Sequence, residues 1–167
     1  MAVVFTLLGC AVFVLLLLQA GLGDLARMRI PNRLVLVLLL GYAVLAPLSG
    51  FSLLAISLGL GGAAVIFCLG LCLFACGWMG GGDVKLMAVV SLWLGLPHLG
   101  DFLLWTSVFG ALLTLGLMIC RARPLPEALA GRALSLRAGE TRVPYGVAIA
   151  AAGLFVFAST PWTAPLW

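Results

Sequence analysis

The chain has 167 residues, of which 65% are hydrophobic and only 8% charged. A soluble domain carries about 25% charged residues, so a water-soluble enzyme or binding module is excluded and lipid is the expected solvent. The net charge of +4 would point to nucleic acid in a soluble protein, but in so apolar a chain Lys and Arg mark the loops of one membrane face, and no nucleic-acid partner is expected.

A spanning helix needs about 20 mainly apolar residues. The apolar runs and their breakers place six spans, in chain order at about 3–23, 33–48, 51–76, 84–97, 102–120 and 144–160. The first run, Val3 to Leu22, has no Lys or Arg before it and no small-residue cleavage site after it, so it reads as a retained helix. Pro47-Leu48-Ser49-Gly50 and Leu96-Pro97-His98-Leu99-Gly100 read as tight turns. The fourth span is short and needs Asp83 and Lys85 at the interface or partly buried. Gly59 with Ala63, and Ser107 with Ala111, supply small residues at helix-packing spacing. The stretch from Arg121 to Val143 reads either as a solvated loop or as a surface helix with Leu125, Leu129, Ala133 and Leu136 on its apolar face.

The expected fold is therefore all-α: a single domain, 1–167, forming a polytopic membrane helix bundle. With alternating spans, all nine Lys and Arg fall on one face. The positive-inside rule makes that face cytoplasmic and leaves both termini outside. His98 and Asp101 sit in a short turn on the opposite face.

The five cysteines form no CxxC pair, and Cys68, Cys72 and Cys76 recur every fourth residue along one apolar helix. They read as small hydrophobes, and no metal or cofactor is expected. Ionisable groups at membrane depth are costly, which makes Asp24 and Asp83 the functional suspects. Asp24 follows Gly21-Leu22-Gly23 at the end of the first span, and Asp83 follows Gly80-Gly81-Gly82 at the start of the fourth. Both belong to the same face, where two helix ends can meet. Paired carboxylates sharing one proton can supply both halves of peptide hydrolysis. The only histidine, His98, is on the far face, so a Ser-His or Cys-His nucleophile is hard to assemble. Either aspartate alone reads as an interfacial cap or a partner of Arg27 or Lys85; the pair carries the functional reading. Helix ends alone favour an ionised Asp83 and a protonated Asp24.

Three strings resemble the type IV prepilin peptidase family. They are Gly23-Asp24-Leu25-Ala26-Arg27-Met28-Arg29-Ile30-Pro31-Asn32, then Gly80-Gly81-Gly82-Asp83-Val84-Lys85, which contains the GxGD motif of intramembrane aspartic proteases, and Val143-Pro144-Tyr145-Gly146. The resemblance implies an aspartic endopeptidase with Asp24 and Asp83 as catalytic residues. Its partners would be membrane lipid and a prepilin or pseudopilin precursor, cut after a leader glycine at the cytoplasmic face of the bacterial inner membrane. Gly80, Gly81 and Gly82 would receive the extended substrate, with Lys85, Pro144, Tyr145 and Gly146 as supporting residues. Pro31-Asn32 reads as the cap of the second helix. Only Leu25–Asn32 joins the first two spans, so methyltransferase activity, which long members carry on an insertion there, is not expected. The chain is similar to the short form associated with tight-adherence (Flp) pili. The readings from other classes are a small ion- or proton-coupled carrier and a non-enzymatic assembly scaffold; the sequence sets no oligomeric state.

Overall fold

The computed structural model describes residues 1–122 and 142–163. The proposed surface helix over 125–136, together with Arg123, Arg132 and Arg137, lies outside the described residues. The described chain is helical throughout: α1 (Ala2–Arg27), α2 (Asn32–Leu48), α3 (Leu53–Ala75), α4 (Gly81–Leu94), a 3-10 turn (Leu96–His98), α5 (Leu99–Arg121) and α6 (Tyr145–Phe157). Each lies on an apolar run named above. α1, α3 and the stretch Leu96–Arg121 are long and apolar enough to cross a membrane, while α2 and α6 are shorter apolar helices. Leu54, Leu58, Val65, Leu69 and Phe74 of α3 stay exposed, as do Leu15 and Leu22 of α1 and Leu112 and Ile119 of α5. A coat of this kind is incompatible with water and suits lipid.

The short helices are the buried ones. α4 has 14 residues and α6 has 13, about 20 Å each at 1.5 Å per residue and less than the roughly 30 Å hydrocarbon core. α4 is buried continuously from Val89 to Leu94 and packs against α2, α3 and α6, while α6 packs against α1, α4 and α5. This explains the short fourth span: α4 is sheathed by protein, so it need not match the bilayer.

Small residues set the spacing. Gly70 of α3 faces Val84 of α4, and Gly21 of α1 lies against Ala150 of α6. Gly59 is buried against Leu92 and Tyr42, as its spacing with Ala63 predicts. Ser107 and Ala111 depart from that expectation, because both are exposed on α5 with no described helix against them.

The end opposite Asp24 is closed by aromatic rings. Trp162 stacks near Trp93 and Phe51, with centroids 4.8 and 4.7 Å apart. Their indole N–H groups do not go unmatched: Trp162 Nε1 donates to the Trp93 carbonyl and Trp93 Nε1 to the Leu38 carbonyl, both at 3.0 Å. A Cβ built on Gly9 would collide with the Trp162 ring, which these bonds hold in place, whereas one on Gly61 meets nothing within 4 Å. Gly9→Ala is therefore expected to destabilise the bundle by about 1–3 kcal/mol. Gly61→Ala should be neutral or stabilising, since alanine favours helix. Thermal unfolding of the two variants in detergent checks the contrast.

Candidate active site

The last turn of α1 carries Asp24. Met28 adopts a left-handed conformation (φ 53°, ψ 39°) and its N–H closes on the Asp24 carbonyl at 2.8 Å, which stops the helix. Residues 28–31 then lead directly into α2. Asp24 is only 5% exposed. Its carboxylate crosses to the start of α6, where Oδ2 accepts the Gly146 N–H at 2.8 Å. The first N–H groups of any helix lack partners within it, and this end of the dipole is positive, so Asp24 serves as an N-terminal cap supplied by another helix. Pro144 stands at the N-cap position and offers no side-chain bond, which leaves that role open.

Asp83 sits in the first turn of α4, with Gly80 at the N-cap. Its carboxylate lies beside Gly80, and the backbone N–H groups of Gly80 and Gly146 favour its charged form. Asp83 precedes the apolar stretch of α4, and its carboxyl is pushed up to about 7, by burial first and then by the charge of Asp24; the two N–H groups oppose the rise. Burial and a like charge thus act against the positive end of α4, and the proton belongs to the pair.

Two clefts meet at the pair. One, of about 580 Å³, is lined by Asp24, Arg27, Arg29, Ile30 and Gly80 to Asp83. The other, of about 380 Å³, is lined by Asp24, Asp83, Gly80, Trp78, Pro144 and Tyr145. The structure therefore brings Asp24, Asp83, Gly80, Gly81, Gly82, Pro144, Tyr145 and Gly146 to one end of the bundle. His98 and Asp101 begin α5 at the other end. Lys85 does not enter either cleft: its Nζ donates to Asn32 Oδ1 at 3.1 Å and ties the start of α4 to the start of α2. Asn32 correspondingly is the first helical residue of α2 and makes no cap bond; Pro31 takes the N-cap position. Among the described residues no cluster of three His, Cys, Asp or Glu could hold a metal ion.

Ile30 was not assigned a role by sequence reasoning. Its side chain reaches both Gly82 and Gly146, wedged between the starts of α4 and α6. The Ile-Pro-Asn string places it beside Asp24, but nothing in the sequence predicts its contact with two distant glycines.

Fold and site together define an all-helical membrane protein with two carboxylates gathered in a cleft at one end of the bundle. Residues 11–115, which include both carboxylates and stop short of α6, match the type IV leader peptidase family. The chain belongs to that family. It is also similar to the prepilin leader peptidase/N-methyltransferase of Aeromonas hydrophila, at 34% identity over 118 residues, covering 62% of this chain and 39% of that protein. The chain therefore aligns with well under half of that relative's length. No solved structure matches it.

Proposed function

We propose that this chain is a membrane-embedded aspartic endopeptidase that removes the leader peptide of type IV prepilins or pseudopilins, with Asp24 and Asp83 as the catalytic pair. The carrying observation is that the two carboxylates line one cleft at one end of the bundle, close enough for the charge of Asp24 to raise the proton affinity of Asp83. Carboxylates so placed cannot both ionise readily, and one proton is shared between them. The ionised partner takes a proton from water, whose oxygen attacks the scissile carbonyl carbon, while the protonated partner gives its proton to the carbonyl oxygen. On collapse the C–N bond breaks and the leaving amine takes up a proton from the pair. Helix geometry leaves the N–H groups of Gly81 and Gly82 without intrahelical acceptors, and glycine keeps this wall of the cleft free of side chains that would bar an extended backbone.

The described basic residues Arg27, Arg29, Arg33, Lys85, Arg121 and Arg142 belong to the helix ends around this cleft, which supports a cytoplasmic site in the inner membrane. Methyl transfer is not part of the proposal: residues 28–31 alone join α1 to α2.

The test is cleavage of a purified prepilin by the purified chain, read by mass spectrometry across pH. One proton must reside on the pair. Raising the pH through the Asp83 value of about 7 removes that proton; lowering it far enough protonates the second carboxylate and removes the base. A bell-shaped rate with an alkaline limb near neutrality is expected. Absence of cleavage, or a rate that keeps rising to about pH 9, would exclude a proton-sharing aspartate pair.

A further inference from the structure

Proton sharing needs a fixed distance between two carboxylates, and here they stand on different helices. Asp24 is in the last turn of α1 and Asp83 in the first turn of α4, yet α1 and α4 barely touch. Their separation must be set by something packed between them. The α1–α2 connection supplies it.

That connection is short and stiff. Met28, left-handed, closes on the Asp24 carbonyl, and Pro31 at φ −66° confines the residue before it to extended conformations. Ile30 is therefore held from both sides, on a short tether to Asp24. Its side chain branches at Cβ, which restricts χ1. A Cβ built on Gly82 would lie only 3.3 Å from Ile30 Cβ, and one on Gly146 only 2.8 Å from Ile30 Cδ1. Two bare glycines thus admit one isoleucine. Gly82 immediately precedes Asp83, and Gly146 donates its N–H to Asp24. The rigid contact is the one between Ile30 Cβ and Gly82, since the Cδ1 end is free to turn. Two residues further along each helix, Lys85 Nζ and Asn32 Oδ1 close the same seam at 3.1 Å.

We infer that Ile30 is the spacer of the carboxylate pair: its branched side chain, seated on the bare Gly82, sets the distance of the Asp83 carboxylate from that of Asp24. The inference rests on the proposed peptidase reading and adds a positioning residue to it. It also gives Gly82 a second duty, because the space left by its missing side chain is taken by Ile30.

The experiment measures kcat and KM for prepilin cleavage, per folded enzyme, in Ile30→Val, Ile30→Leu, Ile30→Ala and Gly82→Ala. The control is Leu45→Ala, a truncation of the same size at a buried position near the far end of α2. Valine keeps the branch at Cβ and loses only Cδ1, whereas leucine keeps the volume and loses the branch. Ile30→Val is expected to stay within about threefold of the wild-type kcat, and the other three to fall about tenfold or more with KM little changed. Leu45→Ala should lower the unfolding temperature and leave kcat near wild type. Equal cleavage by Ile30→Leu and Ile30→Val, the result that packing volume alone would give, overturns the spacer. A raised KM at unchanged kcat overturns it as well, by making Ile30 a substrate contact. Either outcome leaves the peptidase reading intact. If Ile30→Ala does not fold, the valine–leucine contrast and Gly82→Ala decide. Failure of the wild type to cleave removes the peptidase reading and the inference with it.

Discussion

Asp24→Asn and Asp83→Asn are each expected to reduce prepilin cleavage by about 10³-fold or more, while both variants still insert and fold. Asparagine is the informative replacement. Its amide oxygen can still accept the Gly146 N–H that Asp24 Oδ2 holds at 2.8 Å, so the cap on α6 survives and only the proton chemistry is lost. At position 83 the change removes a half-buried carboxyl whose proton affinity is raised by its surroundings and by the Asp24 charge. Thermal stability of Asp83→Asn should therefore hold or rise as activity disappears, a separation typical of residues kept for chemistry. Loss of stability alongside activity in both variants would return the aspartates to a structural role. Wild-type cleavage by either variant would break the pair mechanism.

Gly146→Ala is expected to cost about 10²-fold in kcat with little change in folding. A Cβ there would lie 2.7 Å from Asp24 Oδ2 and 2.8 Å from Ile30 Cδ1. The isoleucine end can swing away. The carboxylate cannot move without giving up its N–H, and a displacement of about 1 Å at a catalytic group is enough for such a loss. The control is Gly153→Ala, on the same helix. Its Cβ would meet only the ends of the Leu17 and Val90 side chains, at 2.7 and 2.9 Å, so it should shift the unfolding temperature and leave kcat near wild type. Comparing kcat and unfolding temperature across the two variants separates displacement of Asp24 from general crowding of α6.

Hydropathy and glycine placement were enough to locate every described helix, because in lipid each span must satisfy its own backbone and announces itself as an apolar run. That Asp24 and Asp83 lie at one end of the bundle was legible for the same reason: charge is rare in such a chain and its placement is informative. What the sequence did not carry were contacts between distant segments. Lys85 two residues after Asp83 suggests an electrostatic neighbour, yet it turns to Asn32 on another helix. Ser107 and Ala111 have the spacing of a packed interface, but the same spacing serves an exposed face, and only the positions of α4 and α6 decide between them. Gly146 entered through a family string; that its N–H meets Asp24 depends on how closely α6 approaches α1, which Gly21 and Ala150 set in three dimensions.

The bond between Asp24 and Gly146 joins the first helix of the chain to the last one described. Synthesis runs from the N-terminus, so Asp24 enters the membrane early and waits for its donor, the Gly146 N–H, until α6 has been made and docked. On the proposed reading, a partly synthesised chain has both aspartates but no assembled pair, and a nascent protease is inert toward the membrane proteins being inserted around it. Competence arrives with α6, which makes the cap a check on the docking of that helix as well as a piece of the site.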